Sequence, residues 1–342
     1  MRRALFLVSM AVTATLVVAP AAHACGSLVA PNGAVQLVRT STLAAYHDGV
    51  EHYVTNFEFA SPKTSFGSII PLPGAPTKVE RGGKWTLQRL EREVTPPRAL
   101  ESDVKASAAS GVEVLRHTQI DSLDVTILRG GGLDVAGWAA KQGFALSPDT
   151  PSVLEFYSRR SPFFMAAKFD ATAAVARGLR AGDGIPVHLT IPARNPWVPL
   201  HILATAKPDD EVVNADVFLL TDREPALLAG TGLTLERSGP ASSRLLDDLR
   251  GDDSMGWVPP QAWLSFLRLS SAARDLRYDL AIDTSAEHHP RVVDTGRPIS
   301  ATHPIAIEDG VQVQWYWWTI AAAVAAALGL AGITRRRRRL HA

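Results

Sequence analysis

The amino-acid sequence predicts an α+β protein: a mostly antiparallel β-sheet domain with several short helices, joined to one transmembrane helix. Three observations carry this. Apolar and polar residues alternate at period two in short runs, such as Leu276–Asp283, and turn residues bound them. Helical stripes are brief, as with Leu87, Leu90 and Val94. One stretch, Thr319–Ile333, is apolar without interruption.

Residues 1–24 read as a cleaved signal peptide. Arg2 and Arg3 open it, Ala4–Val18 is apolar, and Ala22-His23-Ala24 is a small-x-small cleavage site before Cys25. Lipidation of Cys25 stays open, although Ala22 stands where a lipobox wants leucine. Residues 25–285 read as an extracytoplasmic domain, with a candidate subdomain boundary at 171–184, where the chain turns small and Gly-containing. Residues 286–314 read as a polar stalk holding Pro290, Pro298 and Pro304. Residues 315–334 are the expected transmembrane helix and 335–342 a basic cytoplasmic tail. At about 1.5 Å per residue, the helix from Trp315 to Thr334 spans roughly 30 Å, the thickness of a bilayer's hydrocarbon. Trp315-Tyr316-Trp317-Trp318 suits the headgroup boundary, and Arg335–Arg339 marks the cytoplasmic side. Thr302–Gln314 holds no Leu-Pro-x-Thr-Gly sorting motif, so the anchor reads as permanent. The expected location is therefore the cell membrane, crossed once, with the large domain outside.

Composition narrows the partners. The chain has 35 Lys and Arg against 34 Asp and Glu. Seven basic residues lie in the signal and the tail, which leaves the outer part 28 against 34, a net −6. An acidic outer body excludes nucleic acid as a partner. The single cysteine excludes an internal disulfide. The membrane is the expected partner, together with another envelope or membrane protein.

The elements follow in order. Asp48-Gly49 is a two-residue hairpin turn. It pairs Ala44 with Tyr53, Ala45 with His52 and Arg39 with Glu58, the first face buried and the second wetter. Ser65–Ile70 reads as a strand that leaves the sheet at Pro71, because Pro71, Pro73 and Pro76 lack N–H groups. Lys84–Val94 reads as a helix stopped by Pro96-Pro97. Leu100–Gly111 reads as a surface loop. Val112–His117 and Leu123–Leu128 read as strands. Gly130-Gly131-Gly132 leads into a helix at Asp134–Gln142, capped by Asp134 and ended by Gly143. Thr150-Pro151 opens a second helix to Arg160, and Pro162–Phe169 is a strand. Val187, Leu189 and Ile191, then Val198, Leu200 and Ile202, read as a hairpin that places His188 opposite His201. Val212–Leu220 and Leu227–Leu235 read as strands, Arg250–Ser254 as a loop and Pro259–Arg274 as a helix around Trp263, Phe266 and Leu267.

Patterns that carry chemistry are sparse. Ser102-Asp103-Val104-Lys105 matches Ser-x-x-Lys, but neither Ser-Asp-Asn nor Lys-Thr-Gly accompanies it. The three glycines lack a P-loop lysine. A facing His188–His201 pair has no further zinc ligand in view. Gly-x-Ser-x-Gly and His-Glu-x-x-His are absent. No catalytic, cofactor-binding or metal residue is assigned, and no cofactor is expected.

Several segments together resemble the bacterial DUF2330 family of uncharacterised proteins. They are Cys25-Gly26, the hairpin from Tyr46 to Phe59, Phe66–Pro73 with Pro76, Gly137-Trp138, Phe163–Lys168, Pro186–Thr190 and Val198-Pro199-Leu200. The resemblance covers most of 25–285 and implies an exported or membrane-anchored protein with no stated activity. Some members appear with a second cysteine soon after the first, and this chain has none. The expected function is a non-enzymatic binding or envelope-associated module. The alternative is a hydrolase or transferase acting on envelope polymers, which requires two or three of His, Asp, Glu, Ser or Cys to converge in a pocket.

Overall fold

The computed structural model describes residues 27–29, 40–57, 67–94, 113–178, 184–194, 196–228, 230–285, 290, 292–295 and 308–309. The first strands are β1 (Ser27–Val29), β2 (Ser41–His47), β3 (Val50–Phe57), β4 (Gly67–Leu72) and β5 (Lys78–Arg81). Helix α1 (Thr86–Val94) precedes β6 (Glu113–Ile120) and β7 (Leu123–Arg129). Helices α2 (Gly132–Lys141) and α3 (Thr150–Ser158) then lead to β8 (Phe163–Phe169) and the short α4 (Ala171–Ala176). There follow β9 (Ile185–Pro192), β10 (Trp197–Val198), β11 (Val212–Thr221), β12 (Ala226–Leu228) and β13 (Leu233–Pro240). Helix α5 (Ser243–Arg250), β14 (Trp263–Ala272), β15 (Leu280–Asp283) and β16 (Glu308–Asp309) complete the described elements.

They form three sheets, ordered β1-β4-β8-β7-β6, β10-β15-β12 and β16-β13-β14-β11-β2-β3-β9-β5. Pairing is antiparallel except between β11 and β2 and between β13 and β16. The fold is therefore α+β and mostly antiparallel, as expected. Among the described residues no helix is long and apolar enough to cross a membrane. The expected span at 315–334 lies outside the described residues, as do 1–24 and 335–342.

The large sheet is buried on both faces. One face, with Tyr53, Leu189, Val217 and Leu267, joins the core shared with the five-stranded sheet, α2 and α3. The other, with Leu43, Val54, Phe218 and Phe266, packs under α1, α5 and Met255–Val258. The hairpin has the expected register: Ala44 pairs with Tyr53 and Ala45 with His52. Asp48 and Gly49 take positive φ, 49° and 78°, as a two-residue turn that follows the strand twist requires. The second face of the hairpin is not wet, because the two helices cover it. Arg39 and Glu58 lie outside the described residues.

Four expectations give way. The strand at Ile69 does not leave at Pro71: β4 runs to Leu72, with Pro71 paired to Phe164. Among the described residues its other neighbour, β1, pairs only with Gly67–Ile69, so no described strand calls on the N–H that Pro71 lacks. Residues 259–274 are not a helix. β14 is a central strand whose alternate residues enter the two cores, Leu264 and Phe266 on one side, Leu267 and Leu269 on the other. Leu264–Leu267 is buried on both faces, and a stretch of that kind hides its own period. The strand expected at 276–283 is paired only over Leu280–Asp283, and α2 begins at Gly132 behind Gly131 rather than behind Asp134.

Candidate functional site

Register alone lines up one polar row on the helix-covered face. Ala45 pairs with His52, so His47 lies on the same face two residues along. Val54 pairs with His188, and His188 with Glu80. Leu220 pairs with Ala45, which adds Asp222. Asp222, His47, His52, His188 and Glu80 thus cross five adjacent strands diagonally.

At the centre, His52 Nδ1 lies 2.9 Å from His188 Nε2. Glu80 Oε1 is 3.2 Å from His188 Nδ1, off the line of a well-formed hydrogen bond, and takes Lys78 Nζ at 2.8 Å. The carboxylate favours the tautomer with the proton on His188 Nδ1. His188 Nε2 then accepts from His52 Nδ1–H, and His52 Nε2 keeps its lone pair. Trp257 stacks on His52 with ring centroids 3.8 Å apart and planes 4° from parallel. Burial, then the charge His188 would carry, pushes His52 down to about 3. Burial pushes His188 down to about 4 against the pull of Glu80. Both rings are therefore neutral at physiological pH: hydrogen-bonding and ligand-forming groups, but weak bases.

At the end of the row, His47 Nδ1 contacts Asp222 Oδ1, and His47 Nε2 lies 3.4 Å from Asp48 Oδ2. One ligand atom from each of the three falls within 4.8 Å of the others. One imidazole and two carboxylates can hold a divalent ion, and equally form a charge cluster at a hairpin tip.

A separate cleft of about 560 Å³ opens between α1 and α5, lined by Trp85, Arg89, Arg92, Glu93, Ser242, Arg244 and Asp248. A distant loop fixes its floor. Asp252 accepts from Lys84 N at 3.0 Å, Trp85 N at 2.9 Å and Thr86 Oγ1 at 2.8 Å, satisfying the start of α1. Ser242 Oγ accepts from Leu245 N at 3.2 Å and starts α5. Within the cleft both acids are committed. Asp248 takes Arg89 Nε at 2.8 Å, and Glu93 takes Arg89 Nη1 at 2.9 Å and Arg237 Nη2 at 3.3 Å.

A third cluster is buried and saturated. Asp279 Oδ1 accepts from Tyr157 Oη at 2.7 Å, Leu200 N at 2.9 Å and His201 N at 3.2 Å, while Oδ2 takes Arg160 Nη1 at 2.8 Å. Arg160 also lies over the Trp197 ring at 4.2 Å. Every partner is internal, so this knot ties α3 to β10 and β15.

The family model for an uncharacterised protein conserved in bacteria, DUF2330, matches residues 19–224. The chain belongs to this family. The match includes the whole polar row and α1, while Trp257 and α5 lie beyond it. The family description carries no activity. No curated protein sequence matches the chain. Among solved structures, that of baculovirus P35 is similar at 9% identity and a TM-score of 0.39, covering 73% of this chain and 97% of that one. A likeness at that level carries no argument.

The hairpin and the Pro186–Thr190 segment supply the three histidines of the row, yet His188 and His201 do not face each other. β9 pairs with β3 and β5, and β10 with β15. His201 lies in a 3₁₀ turn, edge-on to Phe156, with neither ring nitrogen partnered among the described residues. Of the three glycines, Gly130 and Gly131 form the plain turn before α2 and Gly132 is its first residue. Cys25, Ser102, Lys105, His288 and His289 lie outside the described residues. Sequence reading missed Glu80 and Trp257, and missed the arginine cleft. The Ala45–His52 register was the one available signal.

Proposed function

We propose that this family member is an exported, membrane-anchored, non-enzymatic module that binds an envelope component or another membrane protein. The topology rests on the basic-apolar-small pattern of 1–24 and on the aromatic, apolar and arginine sequence of 315–339. The domain then faces outward, and the span holds it at the cell membrane with the tail in the cytoplasm.

One observation carries the non-enzymatic reading: His52, His188 and Glu80 converge away from the α1–α5 cleft, and the cavity where His201 meets Asp149 and Lys207 is only about 30 Å³, room for water and not for a substrate. His52, His188 and Glu80 meet beneath Trp257 with both imidazoles neutral. The cleft has no Ser–His or Cys–His pair, and both of its acids are bound to arginine. A hydrolase or transferase needs nucleophile, base and substrate space together. The test incubates the full chain in detergent with isolated cell envelopes. Co-sedimentation without release of soluble polymer fragments is expected. Sustained release that His52→Ala abolishes would establish the envelope-polymer hydrolase or transferase instead.

A further inference from the structure

We infer that the α1–α5 cleft is a phosphate-binding site, with Arg92 and Arg244 as its anion-holding groups and Trp85 as a platform for a ring attached to the phosphate. The inference rests on the binding reading above and names its ligand class. The charge distribution comes first. Three arginines and two acids line the cleft, in a body whose outer part is net acidic. Arg89 is locked between Asp248 and Glu93, and Arg237 neutralises Glu93 further while its Nη1 caps the α1 carbonyl of Glu93 at 2.9 Å. These pairs use up the negative charge. Arg92 and Arg244 are exposed and have no ion-pair partner among the described residues. Two planar guanidiniums on facing helices suit a ligand that offers several oxygens, because each fork takes two.

The remaining lining agrees. α5 starts at the cleft beside the C-terminal turn of α1, so the two helix ends offset each other and the arginines carry the field. Trp85, half-buried just before α1, lines the cleft as well. A volume of about 560 Å³ holds a phosphate with a sugar or glycerol unit on it, within the usual range for small-ligand sites. Free phosphate, a polymer phosphodiester and a lipid headgroup share this chemistry.

The test titrates full chain in detergent with three probes by calorimetry: pyrophosphate, a soluble glycerol-phosphate oligomer, and dihexanoyl-phosphatidylglycerol. Binding of at least one is expected, weakened tenfold or more by Arg92→Glu with Arg244→Glu and by raised salt. Whichever probe binds tightest identifies the source. Trp85→Ala should weaken the oligomer and lipid probes but not pyrophosphate. Both arginines are exposed, so the double variant should keep the wild-type melting temperature, which shows that lost binding is not lost folding. No binding of any probe, or wild-type affinity in the double variant, overturns the inference. Envelope co-sedimentation that survives the double variant overturns the cleft while leaving the broader binding reading intact.

Discussion

Replacing Glu51 by glutamine should change how stability depends on pH, in a direction opposite to ordinary acid denaturation. Glu51 is wholly buried on the shared-core face of β3, opposite Tyr46 and Ile191. Neither carboxyl oxygen has a hydrogen-bond partner among the described residues. Burial pushes it from 4.5 up to about 8, with the Arg160 charge pulling the other way. The folded protein thus keeps this proton at neutral pH, while the unfolded chain releases it near 4.5. Between those values the unfolded state binds fewer protons, so wild-type stability falls as pH rises. At about 1.4 kcal/mol per pH unit, the gap gives a ceiling of about 5 kcal/mol by pH 8. Glu51→Gln keeps the shape and cannot titrate. Urea unfolding of both proteins from pH 4.5 to 8.5 should show near-equal stability at the acid end and a growing advantage for the variant above it. Buried histidines such as His188 lose stability as pH falls below their unfolded value, but they do so in both proteins and cancel in the difference. Two parallel stability curves would refute the reasoning.

Other substitutions test the packing and the row. Asp279→Ala strands the buried Arg160 charge and the Tyr157 hydroxyl, and should lower stability by about 3–5 kcal/mol in thermal unfolding. Gly132→Ala places a Cβ 2.1 Å from Glu155 N where α2 meets α3, and should cost about 1–3 kcal/mol or more by the same assay. Trp257→Ala uncovers His52, whose titration by nuclear magnetic resonance should climb from about 3 toward its ordinary value of 6.5.

The fold was legible where one local feature sets geometry. Asp48-Gly49 admits one tight turn, and that turn fixes every pair from Thr42–Thr55 to His47–Val50. The stripe of Leu87 and Leu90 likewise located α1. Legibility failed where partners are distant. β9 alternates cleanly, but nothing local says that it pairs with β3 and β5 rather than with its sequence neighbour, so His188 was matched to His201. The first half of β14, Leu264–Leu267, is buried on both faces, so it carries no period to separate strand from helix, and only Leu267 to Ser271 alternates buried with exposed. The cleft was invisible for the same reason: Arg92 and Arg244 are unremarkable on their own helices, and Asp252 reaches the first residue of α1 from 166 residues away.

The most direct measurement of the central claim is protease treatment of intact cells that carry this protein with a tag on its cytoplasmic tail. The account predicts loss of the outer body, with a short tagged fragment of stem and tail left in the membrane fraction. A full-length tagged chain that resists until the cells are lysed would contradict it.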